Sequence, residues 1–179
     1  MPNLPPTIRL RRRTSRPLRA RRVFAFAFCA VAGLANAQIT DNPDWKESDA
    51  PPPPAFDLKR QLPIEMPPYM SLKFGVDPAT LTVTGDGVVR YVVVATSTSG
   101  AVNAFYEGVR CATDEVKVYA RYNSGAWHAV EAADWKRIDN LNSRYTRELA
   151  QQGLCRGRAP RASTSDMVRE LKRPEILLR

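Results

Sequence analysis

The chain has 179 residues, with 27 Lys+Arg against 18 Asp+Glu and a formal net charge of +9. Eight of those basic residues and none of the acids fall in the first 37 positions, which leaves 19 against 18, a net of +1, for the remainder. A near-balanced remainder excludes the basic footprint of a nucleic-acid binder, and its length suits one domain with its own core.

The front of the chain predicts an address label. "MPNLPPTIRLRRRTSRPLRARR" is arginine-rich, and "VFAFAFCAVAGLANA" from Val23 to Ala37 is apolar and uncharged. The apolar part is about a dozen residues, short of the roughly 20 that span a bilayer. It ends in Ala35-Asn36-Ala37, with small residues where a signal peptidase reads. The pattern is that of a secretory signal peptide over 1–37, cut between Ala37 and Gln38. An uncleaved anchor is the weaker reading. Arg21-Arg22-Val23-Phe24 only partly matches a twin-arginine signal, and no lipobox precedes Cys29. The mature chain then has no transmembrane segment, and export places it in the periplasm or cell envelope.

Residues 38–57 read as a Pro-rich leader. Pro51–Pro54 are consecutive. Proline fixes φ and donates no hydrogen bond, so the stretch runs extended. It serves as a spacer or a strap across the domain, which Trp45 can pin, rather than as a ligand for an aromatic groove.

The main domain is expected over 58–157. Met70, Leu72 and Phe74 alternate with polar residues, a half-buried strand pattern that Pro78 ends. Leu81 and Val83 pair through an Asp86-Gly87 turn with Val88–Ala95, a β-branched run expected to be covered on both faces. "VNAFYEGVRCA", "EVKVYARY" and "AWHAVE" follow as further strands, separated by turns at Ser99-Gly100 and Asn123-Ser124-Gly125. In the first of these, Phe105, Glu107, Val109 and Cys111 share one face and Ala104, Tyr106, Gly108 and Arg110 the other. In the second, Val116, Val118, Ala120 and Tyr122 oppose Lys117, Tyr119 and Arg121. Leu141, Tyr145 and Leu149 make one apolar stripe on a helix over 140–154. A weaker helix over 163–172, in a tail of 158–179, has Ser165-Asp166 as cap candidates. Short turns between consecutive strands give α+β: an antiparallel meander of about five strands with one or two C-terminal helices packed on it.

Cys29 leaves with the signal, so Cys111 and Cys155 remain. An even count in an exported chain reads as a disulfide. Closing a loop of about 45 residues is worth roughly 4 kcal/mol. Two other readings are weaker. A thiol nucleophile needs a base, and His128 is the one histidine in the sequence. A metal site would need Cys111, Cys155, His128 and a carboxylate to converge, with no ligand spacing in support. No motif calls for a cofactor, and neither a catalytic set nor a metal set is assigned.

From "DWKESDAPPPPAF" through "NAFYEGVRCATDEVKVYARY", Trp127, Trp135 and Cys155, the chain resembles the cryptic neisserial protein-like family, a domain of exported proteobacterial proteins. The most specific part is Tyr106-Glu107-Gly108 with Arg110-Cys111. The resemblance implies a bacterial envelope protein and brings no activity with it.

Three functions compete. The first is a non-catalytic binding or structural domain whose partner is an envelope protein or a cell-wall component. The second is a periplasmic hydrolase using Glu107 as acid or base, its pKa raised by burial; Asp134 offers a second carboxylate, although no spacing links the two. The third is a cell-wall carbohydrate binder using a Tyr/Arg face, with Tyr91 sharing the face of Tyr106 and Tyr119. The candidate functional surface is accordingly Tyr106, Glu107, Arg110, Tyr119 and Arg121.

Overall fold

The computed structural model describes residues 42–173. The expected signal peptide and its expected cut between Ala37 and Gln38, the first leader residues and the end of the tail lie outside the described residues. Eight strands form one antiparallel sheet: β1 (Leu62–Ile64), β2 (Lys73–Val76), β3 (Thr82–Val83), β4 (Val88–Thr96), β5 (Val102–Arg110), β6 (Glu115–Asn123), β7 (Ala126–Ala129) and β8 (Lys136–Arg137). The order is β1-β2-β4-β5-β6-β7, with β3 also on β4 and β8 also on β6. β9 (Cys155–Arg156) and β10 (Ala159–Pro160) pair separately.

The α+β class and the antiparallel sheet hold, but the sheet has eight strands rather than about five. The extra ones carry no pattern. β1 contains Pro63 and sits at the sheet edge, where proline is tolerated. β8 is two exposed residues. β2 starts at Lys73, so the expected strand from Met70 is realised through Phe74 and Val76, both buried. Met70 instead packs against the core from outside the sheet.

β2 and β3 lie along the same edge of β4, interrupted at Asp77-Pro78. Asp77 caps the turn by accepting from Ala79 N at 3.1 Å. The Thr80 hydroxyl repairs the ladder by accepting from Val92 N at 2.9 Å. β7 and β8 share the far edge of β6 in the same way. Between them the loop 130–135 leaves the sheet.

β4 is buried from Val88 to Ala95, as a strand covered on both faces must be. On one side Tyr91, Val93, Val109 and Cys111 meet Leu149, Leu154, Met167 and Leu171. On the other Val92, Val94, Ala104, Tyr106 and Ala120 meet Phe56, Tyr119, Tyr122 and Trp127.

The expected helix over 140–154 is broken. A 3₁₀ turn at Ile138–Asn140 precedes α1 (Tyr145–Leu149), and a π-helical turn follows over Ala150–Leu154. In that wide turn Gln152 exchanges two hydrogen bonds with the backbone of Glu65, at 3.0 and 2.8 Å. Gly153 meets α2 (Thr164–Leu171) so closely that a Cβ there would fall 2.3 Å from Leu171 Cγ. The cap of α2 is Ser163 rather than Ser165: its hydroxyl accepts from Asp166 N at 3.1 Å.

The Cys111–Cys155 disulfide is present, with Cα atoms 5.7 Å apart. It joins the end of β5 to the end of the π turn.

The leader is a strap across the second face. The Trp45 indole donates to Asp86 O at 2.7 Å, and the Arg110 guanidinium lies 3.8 Å from its ring centre. Glu47 accepts from Tyr119 OH at 2.7 Å, Lys117 Nζ at 2.9 Å and Trp135 Nε1 at 3.0 Å. Burial would raise the Glu47 pKa, but these donors outweigh it and hold the carboxyl below its ordinary value. Fully buried Arg90 donates to Ser48 O at 3.0 Å and to Asp86 at 3.1 Å. Further along, Asp77 takes both Arg60 Nε and Arg60 Nη2 at 2.7 Å.

Two predictions follow from this packing. Replacing Cys111 and Cys155 by alanine should cost about 4 kcal/mol, because the bridge closes a loop of separation 44; urea unfolding of the pair variant against the oxidised wild type measures it. Trp45→Ala should cost about 2 kcal/mol through lost ring contacts and open the chain to trypsin at Lys46; an unchanged cleavage pattern would show that the strap does not depend on Trp45.

Candidate functional site

The site is built by one irregularity. Tyr106 pairs with Ala120 but Glu107 pairs with Val118, so β6 carries an extra residue, Tyr119. Such a β-bulge inverts the alternation beyond it. Gly108 makes room, because a Cβ there would lie 2.7 Å from Tyr119 OH. Tyr119 and Ala120 both join the strap-side cluster with Tyr122, while Arg121 passes to the face of Glu107. The expected alternation of β6 therefore holds only as far as Tyr119.

The five candidate residues divide accordingly. Tyr106, Arg110 and Tyr119 lie on the strap face, with Tyr106 and Tyr119 ring centres 5.3 Å apart. The strap covers this face, so it is not an open stacking platform. Tyr91 does not share it, being paired opposite Glu107 on the other side. Glu107 and Arg121 line a cavity there. Glu107 takes the buried position expected of its strand face, held there by two phenols.

Glu107 is 1 % exposed. Its Oε2 accepts from Tyr91 OH at 3.0 Å, and its Oε1 accepts a short hydrogen bond from Tyr145 OH. The Tyr145 ring is fixed by stacking on Phe74, with centroids 4.5 Å apart. Burial pushes the Glu107 carboxyl up to about 7, opposed by the two phenol bonds and by the Arg121 charge. Burial and the neighbouring carboxylate drive both phenols well above their ordinary value, which keeps them protonated as donors.

The cavity measures about 440 Å³. Its apolar wall includes Val116, Val118, Val130 and Leu141, and its polar groups include Glu107, Arg121, Tyr145 and Asp134. A small volume with an apolar lining and a few converging polar groups is the usual form of a small-molecule site. The outer wall is the loop 130–135, where Ala132 takes φ +48°, a conformation alanine rarely adopts. Asp134 thus reaches the Glu107 cavity despite the lack of a sequence link. His128 is exposed on β7 and is not part of the cavity lining. Cys111 is in the disulfide, so no thiol is available to it. Among the described residues no cluster of three or more His, Cys, Asp and Glu could hold a metal ion, and no helix is long and apolar enough to cross a membrane.

Sequence reasoning missed the roles of Tyr91 and Tyr145. Tyr91 sits opposite Glu107 in the β4–β5 register, a signal available once that register is drawn. Tyr145 was visible only as a member of an apolar stripe.

The model of the CNP1-like family matches residues 40–172. The chain belongs to that family, and the resemblance read from its residues holds. No curated protein matches the chain, and no solved structure does.

The Glu107 environment makes a signed prediction. Its folded pKa of about 7 lies above the ordinary carboxyl value of 4.5, so the native state binds the proton more tightly. Its carboxyl therefore favours folding below pH 4.5, and that advantage is lost as pH rises to 7. The full difference amounts to about 3 kcal/mol at most. Glu107→Gln removes this dependence, so wild-type stability minus variant stability should fall by up to that amount between pH 4.5 and 7.5. Urea unfolding at several pH values checks it, and parallel curves would refute the burial argument.

Proposed function

We propose that this CNP1-like protein is exported through a signal peptide cut between Ala37 and Gln38, resides in the periplasm or cell envelope, and acts as a non-catalytic binding domain. Its ligand enters the cavity at Glu107. The observation that carries this reading is a cavity of about 440 Å³ whose buried carboxyl already has both oxygens engaged by Tyr91 and Tyr145. A carboxylate so engaged serves as a fixed wall of a site. A component of the envelope small enough for the cavity is the expected partner.

A second reading has its own support. A carboxyl at about 7 beside a cavity that also reaches Asp134 suits a general acid or base of a hydrolase. Carbohydrate stacking on Tyr106 and Tyr119 has less support, because the strap lies over that face.

One experiment separates the first two. The protein, purified from the envelope of its host, is incubated with the low-mass fraction of the same envelope and weighed by native mass spectrometry. Binding predicts a mass increment that is lost in Leu141→Trp, which fills the cavity from its side wall, and a component released chemically unchanged. Hydrolysis predicts altered products that disappear in Glu107→Gln. No increment and no product would end both readings.

A further inference from the structure

The rim of the Glu107 cavity carries four charged side chains, two of each sign. Arg121 and Lys136 are basic; Glu131 and Asp134 are acidic; all four line the cavity. Among the described residues none of the four makes an ion pair or a side-chain hydrogen bond. Elsewhere on the molecule exposed opposite charges do find each other, as Arg147 and Asp139 do at 2.6 Å. The four rim groups thus surround the opening without pairing with one another. Three of them belong to the loop and strand start over 131–136, where Ala132 holds its left-handed φ of +48°. Unusual backbone of this kind persists where the surroundings hold it in place, and it gathers at ligand sites.

We infer that the occupant of this cavity is a zwitterion with an apolar side chain, namely an amino acid or a short peptide. This rests on the binding reading above and names its ligand class. The argument is one of exclusion by charge. A simple anion would meet Glu131 and Asp134, and a simple cation would meet Arg121 and Lys136. A molecule with one charge of each sign meets a partner for both. Arg121 presents a planar fork of donors suited to a carboxylate, and Asp134 and Glu131 accept from an ammonium group. Val116, Val118, Val130 and Leu141 then cover an apolar side chain. The volume of about 440 Å³ takes a molecule of that size and not a folded partner.

Titration calorimetry at low ionic strength tests this with the protein purified from its host envelope. The probes are leucyl-leucine, N-acetyl-leucyl-leucine, which lacks the ammonium, and leucyl-leucinamide, which lacks the carboxylate. Leucyl-leucine should bind at least tenfold more tightly than either blocked form. The advantage should shrink as salt is added, because the rim is exposed and its charges are screened. Arg121→Ala should abolish the preference for leucyl-leucine over leucyl-leucinamide and leave its preference over the acetylated form. Asp134→Ala combined with Glu131→Ala should do the converse. These are surface substitutions, so folding is not at stake. Equal binding of the three probes, or no binding of leucyl-leucine, overturns the inference. If the probes fail while an envelope component still shifts the mass of wild type and not of Leu141→Trp, the cavity reading stands and only the ligand class falls. If both fail, so does the binding reading.

Discussion

The extra residue in β6 is the constraint on which both faces of the molecule depend. A regular β5–β6 ladder would put Arg121 on the side of Tyr119, under the strap, and Tyr122 on the side of Glu107. The bulge between Val118 and Ala120 exchanges them. Tyr122 then packs with Phe56 and Trp127 under the strap, and the Arg121 charge acts on the buried carboxyl. One insertion thus supplies an aromatic ring to the strap face and a charge to the cavity. The space for it comes from Gly108, on the strand opposite, where any larger residue would strike Tyr119.

The covering of β4 and β5 follows a similar economy. A sheet with two apolar faces needs two partners. Here a broken helical segment serves one face and an extended, proline-rich segment serves the other. The strap brings few apolar side chains of its own, chiefly Trp45 and Phe56. Its hold comes instead from polar groups that pair across the boundary: Asp86 binds Ser48, Glu47 binds three donors, and Arg90 reaches Ser48 and Asp86. Removing Asp86 would take away the nearer of the two carboxylates that compensate the buried Arg90 guanidinium, which is the costly case for such groups.

Strands with a strong local pattern were legible in the sequence. Val88–Thr96 announces itself by its β-branched run, and the turns at Asp86-Gly87 and Asn123-Ser124-Gly125 by their residue types. β1 and β8 were not legible, since Leu-Pro-Ile and Lys-Arg acquire strand geometry only from a neighbour already in place. The pairing of Cys111 with Cys155 could be read from the cysteine count and the expectation of export. The site was legible by halves: burial of Glu107 follows from alternation along β5, whereas the positions of Arg121 and Asp134 do not. A bulge is a property of two strands in register, and a loop wall is a property of where two short strands happen to end. Neither leaves a mark in a single stretch of residues.

The strap also has a place in time. Trp45 bonds a residue 41 positions later, and Glu47 bonds one 88 positions later. As the chain is made from its N-terminal side, these residues come first, yet the last of their partners, Trp135, comes only just before β8. Contacts of such long separation close slowly, because loop entropy must be overcome before they reward it. The full set of strap contacts therefore closes only once the chain has reached the loop before β8, whereas the bonds to Asp86 need only the turn before β4. A fully docked strap requires both the β3–β4 turn and the far edge of the sheet to be in place.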